Sequence, residues 1–145
     1  MRFVDANVFG HAYMKPRREL TSAEAQLKES AKQIIRSLEK GEEMASTTVH
    51  ISEVLNILED NLGVKQSMAF LGWVIAAKNL TVFPVGIGDY ESALSITRES
   101  LVGLNDSLAV HFMHRMGIVE IYSMDRHFDG FEDIVRLRCG VQESP

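Results

Sequence analysis

Asp5, Glu53, Asp106 and Asp125 lie far apart in the chain, yet each falls where a strand ends or a helix begins. In an open parallel α/β sheet the carboxyl ends of the strands share one rim, so these positions can bring four carboxylates to a single crevice. Like charges packed within a few Å raise one another's pKa, and a converging set is best explained by something positive held between its members. Carboxylate oxygens are hard ligands. They suit magnesium or manganese rather than zinc or copper, and magnesium keeps waters in its shell that can serve chemistry on phosphate esters.

Taken singly, each acid has a plainer reading. An Asp after a strand is often a turn former or a helix cap, which covers Asp5 and also Asp106. At Asp106 the positive end of its helix is expected to keep the carboxylate ionised in either role. Glu53 is harder to dismiss, because it interrupts an apolar helix close to its start. The joint pattern outweighs its parts.

The elements that would position these residues alternate along the chain. Arg2 to Val4 reads as a first strand, ending at Asp5-Ala6-Asn7 and followed by a loop that carries Lys15-Pro16-Arg17-Arg18. A helix capped at Thr21 or Ser22 has apolar residues at 20, 23, 27, 31, 34, 35 and 38, the spacing of one helical face, and stops at Gly41. Met44 to Thr47 is a second strand. Thr47 or Thr48 can cap the next helix, whose positions 51, 54, 55, 58 and 62 are apolar and which Gly63 ends. A helix over Lys65 to Lys78 is apolar on most sides and reads as a core helix, with an oligomer contact as the second reading. Leu80 to Val85 is a third strand, and Pro84 favours a sheet edge or a strand end there. Asp89 to Val102 is helical and closed by Gly103. Asn105 and Asp106 open another helix with Leu108, Ala109, Phe112 and Met116 inward. Ile118 to Ser123 and Ile134 to Leu137 complete the strands. Such alternation implies parallel pairing through right-handed crossovers.

Composition is compatible with a single folded domain spanning 1–145. At 145 residues, a chain buries ~68–70% of the surface its unfolded form exposes. Hydrophobic and charged contents of 46% and 24% argue against disorder. No apolar run approaches the roughly 18 residues of a membrane span, and the N-terminus lacks the apolar stretch of a signal peptide. One cysteine, Cys139, excludes an internal disulfide framework and fits a reducing compartment, so cytoplasm is the expected location. Fifteen Lys and Arg against twenty Asp and Glu leave a net charge of −5. That sum counts against nucleic acid as a partner, although acids neutralised by metal would not contribute and local charge matters more.

Four segments carry a family resemblance: Asp5-Ala6-Asn7-Val8-Phe9, Ser52-Glu53-Val54-Leu55, Asn105-Asp106-Ser107-Leu108-Ala109, and Ser123-Met124-Asp125-Arg126-His127-Phe128-Asp129. Together and in this order they resemble the signature blocks of the PIN domain. The resemblance implies a three-layer α/β/α fold with a central parallel sheet of four to five strands. It also implies a metal-dependent ribonuclease, often a homodimer and often the toxin of a VapBC-type pair with an antitoxin partner. By position Asp5, Glu53, Asp106 and Asp125 form the acidic quartet, with Asn7 and Ser123 as supporting polar groups and Asp129 as an outer acid. Asp5, Asp106 and Asp125 are then expected to hold Mg2+ or Mn2+ directly, while Glu53 binds it or orients the attacking water. Lys15, Arg17 and Arg18 on the loop, and Arg126 beside the site, are the candidate RNA contacts.

Other chemistries fit less well. Asp125 to Gly130 resembles the start of an EF-hand loop, but His127 and Arg136 stand at the third and twelfth positions. Gly86-Ile87-Gly88 lacks the third glycine of a dinucleotide fingerprint. His111 and His114 have no cysteine or third histidine to complete a zinc set. A haloacid-dehalogenase-like phosphatase needs a second Asp where Asn7 stands. The remaining alternatives are a housekeeping RNA-processing nuclease and a non-catalytic RNA- or partner-binding module on the same fold.

Overall fold

The computed structural model describes residues 1–137, so Cys139 lies outside the described residues. Its strands are β1 (Arg2–Val4), β2 (Met44–Thr47), β3 (Leu80–Phe83), β4 (Glu120–Tyr122) and β5 (Val135–Leu137). Its helices are α1 (Ala6–Tyr13), α2 (Ser22–Glu39), α3 (Thr48–Leu62), α4 (Val64–Ala76), α5 (Ile87–Ser100) and α6 (Leu104–Met116), with a 3-10 turn at Arg126–Gly130. The sheet has the order β3-β2-β1-β4-β5, and every pairing is parallel.

Side chains alternate across the sheet, because successive Cβ atoms of a strand point to opposite faces. Val4 and Met44 face a core made with Val8, Phe9, Ile34, Leu38, Val54 and Phe70. Phe3, Ala45 and Ile121 face the opposite core, made with Leu108, Phe112, Met113 and Phe128. Helices thus cover both faces, giving the α/β/α layering expected of this alternation. β1 lies at the centre, between β2 and β4. In such a sheet the crevice opens at the carboxyl end of the strand where the order of connection reverses.

Several elements differ from the sequence-based expectation. The segment after β1, expected as a loop, is the helix α1, because Asp5 caps it and Val8 and Phe9 bury on one side. The cationic loop is therefore only the stretch between α1 and α2. The helix α4 is not a plain core helix: Phe70 and Val74 pack inward, while Met68 and Ile75 are 67% and 76% exposed. In α6 the inner position expected for Met116 belongs to Met113, and Met116 faces solvent. α5 starts earlier than Asp89, which instead accepts from the Gly86 N–H at 2.8 Å. It ends at Leu101 in the left-handed region, φ 59°, rather than at Gly103, which caps α6. β3 stops at Phe83 on the sheet edge, one residue before Pro84, as the missing proline donor requires.

The start of α2 shows how sequence sets a boundary. The Thr21 hydroxyl accepts from the Glu24 N–H at 3.2 Å, and Glu24 Oε1 accepts from the Thr21 N–H at 3.3 Å. This reciprocal pair satisfies two donors that the first turn would otherwise leave open. Thr21→Ala is expected to cost about 1 kcal/mol, read as a lower midpoint in urea denaturation with an unchanged slope; an unaltered midpoint would mean that the cap contributes nothing.

Candidate active site

Asp5 is placed by the ladder of the central strands. β1 pairs with β4 in the register Val4 to Tyr122, and the Asp5 N–H extends that ladder to the Tyr122 carbonyl at 3.0 Å. Asp5 is 5% exposed. Its Oδ1 accepts from the Ala6 N–H at 2.8 Å as the cap of α1, and its Oδ2 accepts from the Ser123 hydroxyl at 2.7 Å. The same Ser123 oxygen accepts from the Asp125 N–H at 3.0 Å and from Asn7 Nδ2 at 3.4 Å. Asn7 Oδ1 in turn accepts from the Met124 N–H at 3.2 Å. One hydroxyl, donating once and accepting twice, ties the end of β1 to the segment after β4.

The other acids arrive from helix beginnings. Asp106 sits in the first turn of α6, Glu53 in the second turn of α3, and Asp125 caps the 3-10 turn by accepting from the His127 N–H at 2.9 Å. Glu53 Oε2 is held by Asn105 Nδ2 at 3.4 Å, so the α3 acid is fastened to the residue before Asp106. Asp5 feels the charges of both Asp106 and Glu53, and Asp106 feels that of Asp125. The four sequence-predicted acids thus act on one another electrostatically, but the group within one ion's reach among the described residues is Asp106, Asp125 and His127, without Asp5 or Glu53.

A fifth group joins them. His127 Nδ1 lies 3.3 Å from Asp106 Oδ2 and 3.1 Å from Asp125 Oδ1. One ligand atom each from Asp106, Asp125 and His127 fall within 4.8 Å of one another. Sequence reasoning met His127 within the fourth signature segment and as a misfit in an EF-hand pattern, and gave it no role. Its place two residues after a cluster acid was the available signal. Oxygen donors with one imidazole suit a hard or borderline divalent cation, manganese tolerating the nitrogen better than magnesium does.

The electrostatics are those of crowded carboxylates. Burial pushes the Asp5 carboxyl up to about 7, with Asp106 and Glu53 adding to the rise and the Ser123 and Ala6 hydrogen bonds opposing it. Asp106 is also raised, first by burial and then by Asp125, against the pull of His127. The positive end of α6 acts in the opposite direction, favouring the ionised carboxylate. His127 is raised by its hydrogen bond to Asp106 and the charge of Asp125. Two acids held above their ordinary range beside others, with the exposed His127 ring next to them, form a site whose charge a divalent ion would balance.

A second histidine lies underneath. His50 is fully buried, its Nδ1 is 2.6 Å from the Thr47 hydroxyl, and its Nε2 stands 3.9 Å from Asp5 Oδ1, beyond hydrogen-bond reach. Burial lowers its pKa to about 4, so the ring is neutral under Asp5. Its place on an otherwise apolar helix face offered no hint of this contact.

The remaining predicted residues surround the crevice. Asp129 forks onto Arg136 at 2.9 and 3.0 Å, and Arg136 Nη1 donates to the Ser123 carbonyl, so this acid is joined to the site through an arginine. Arg126 is exposed on the 3-10 turn. Lys15, Arg17 and Arg18 border a cavity of about 630 Å³ whose wall includes Asn7. Arg18 is forked onto Glu24 at 2.8 and 3.0 Å. On the Glu53 side, Ser52, Asn56, Tyr90 and Asn105 line a second cavity of about 440 Å³. The two histidines excluded as zinc ligands have other partners: His111 meets Asp89 at 2.8 Å and His114 meets Asp133 at 2.6 Å.

The fold has counterparts among known proteins. The PIN domain family model matches residues 2–134. Among solved structures, VapC20 of Mycobacterium tuberculosis, a toxin that cleaves the sarcin-ricin loop, is similar at TM-score 0.66 and 17% identity, covering 86% of this chain and 90% of its own. A toxin-antitoxin complex from Klebsiella pneumoniae is similar at TM-score 0.65 and 13% identity, covering 93% and 96%. VapBC2 from Rickettsia felis, bound to a DNA fragment from its promoter, is similar at TM-score 0.63 and 13% identity, covering 94% and 96%. At these identities the likeness concerns the fold. No curated protein matches the chain by sequence.

The two buried titrating groups pull stability in opposite directions. Folding raises Asp5 to about 7, so the folded chain binds the extra proton and loses stability as pH rises from about 4 to about 7. Folding lowers His50 from 6.5 to about 4, so stability is gained as pH rises through that window. Asp5→Asn removes the first effect alone. With a chelator present, urea midpoints of the variant should move upward relative to wild type at each step from pH 4 to 7; a gap that stays constant with pH would refute the raised carboxyl.

Proposed function

We propose that this chain, which belongs to the PIN domain family, is an endoribonuclease dependent on magnesium or manganese. The convergence of Asp5, Glu53, Asp106 and Asp125 at the carboxyl end of the central strands is the observation that carries the reading. Its closest physical support is the grouping of Asp106, Asp125 and His127 within the reach of one ion. We further read the chain as the toxin of a VapBC-type pair, because similar folds belong to such toxins.

Asp5, Asp106 and Asp125 would hold the ion, with His127 as a further donor. A bound magnesium or manganese lowers the pKa of a coordinated water and relieves charge on the phosphoryl oxygens. The chain's own groups position the rest. Ser123 fixes the direction of Asp5 Oδ2 and the Asp125 backbone together, and Asn7 holds the turn that follows β4. Glu53, steadied by Asn105, would bind the ion or orient the attacking water. Arg126 on its exposed turn, together with Lys15 and Arg17 on the loop, offers cations to the phosphates flanking the scissile bond. Arg18 spends its guanidinium on Glu24 and anchors that loop.

An antitoxin or a second copy of the chain is the expected protein partner. Support comes from the exposed apolar side chains of α4, Met68 and Ile75 above all. Among the described residues no helix is long and apolar enough to cross a membrane, and a cytoplasmic location suits an RNA target.

Two experiments test the reading. Single-stranded and structured RNA should be cut in magnesium or manganese and left intact in chelator, and Asp106→Asn should lower the rate by at least about a hundredfold. That substitution removes a like charge from the cluster, so its melting temperature should not fall; cleavage at the wild-type rate would refute the assignment. Replacing Lys15 and Arg17 by Ala should weaken RNA binding and shrink the salt slope by about 0.7 per lost phosphate contact, with metal affinity unchanged. An unchanged slope would remove the loop from the RNA path.

A further inference from the structure

A cavity of about 630 Å³ lies between α1, α2 and α3 and opens to solvent. Met14, Leu20 and Ile57 give it apolar walls, and Asn61 adds a side-chain amide. Lys28 bends its ammonium inward to the carbonyls of His11 and Met14, clasping the end of α1 to α2. At the rim, Lys15 and Arg17 make no ion pair among the described residues. Asn7 belongs to this wall while its side chain bonds Ser123 and the Met124 backbone, so cavity and carboxylate crevice share a partition.

We infer that this cavity is a subsite for one unpaired base of the RNA strand, next to the scissile phosphate, with Lys15 and Arg17 on the phosphate of that nucleotide. The inference rests on the nuclease reading above and extends it to the substrate: single-stranded RNA with a base turned out of the stack. An apolar slot of several hundred Å³ with a few convergent polar groups suits a ligand the size of a nucleotide. Bases are held on proteins by apolar and aromatic contact with cations tracking the backbone. The shared Asn7 partition sets this cavity next to the carboxylates, and Lys15 and Arg17, without ion pairs among the described residues, suit a polyanionic strand better than an apolar protein segment.

Gly10 provides the test. It lines the cavity from inside α1, and a Cβ built there meets no atom within 4 Å. Gly10→Leu therefore starts its side chain in open space on the cavity wall, and a helix-interior glycine gives way to a better helix former. Binding of a 5′-fluorescein-labelled hexaribonucleotide is measured by anisotropy in chelator, beside copies made abasic at each position in turn. For wild type, loss of one particular base should weaken binding roughly tenfold, the scale of burying about 50 Å² of apolar surface. Gly10→Leu should bind the intact oligomer roughly tenfold more weakly and no longer sense that base. Ile57→Glu, at a partly exposed position, should reproduce the loss by a different route, and circular dichroism melts confirm that both variants fold. Wild-type RNA affinity in both variants, the result if the cavity seats a protein segment instead, would overturn the inference. So would an equal loss on intact and abasic strands. Cleavage in magnesium is scored separately: base-dependent binding without cutting supports the subsite and removes the nuclease reading, and cutting without base dependence does the reverse.

Discussion

Crowding carboxylates at the carboxyl end of a parallel sheet costs free energy, and most of the structure at that end works against the cost. Asp5 is nearly out of water, yet it keeps the Ser123 hydroxyl and the Ala6 amide as donors. Those two hydrogen bonds lower its pKa against burial and against Asp106 and Glu53 and still do not prevail. The arrangement remains under electrostatic tension until something positive enters, and for that reason a divalent ion suits it better than any further side chain would.

The tension is sustained by topology. β1 stands in the middle of the sheet and passes its last residue into the partition between two cores. Pairing with β4 sets Asp5 beside Ser123, and the α3 and α6 beginnings open onto the same rim. No acid reaches the crevice through a long mobile loop. Each sits within a turn or so of a strand end or a helix start, where backbone geometry leaves little freedom.

Much of this was legible in the sequence because it depends on local periodicity and on order along the chain. The helical spacing of α2 and α3, the Thr21 and Thr47 caps, and Pro84 at the sheet edge could be read directly. So could the four acids, each lying at an element boundary. What escaped depends on tertiary contact. The turn α1 was obscured because Gly10 and His11 interrupt its pattern and its cap is itself a cluster acid. The half-exposed character of α4 could not be read from a helix apolar on most sides, since only the neighbours decide which side is covered. Met113 rather than Met116 points inward on α6, a difference of one turn that periodicity alone leaves open. His127 and His50 matter through partners more than twenty residues away and on another element, respectively.

The Ser123 hydroxyl joins residues separated by 118 positions in the chain. Contacts of such range form late in folding, because a large loop must close before they give any return. During synthesis, a ribosome-bound chain that has already displayed Asp5 and Glu53 therefore has no assembled crevice until the β4 segment emerges and pairs. Until then Asp5 lacks the Ser123 hydroxyl that fixes its Oδ2.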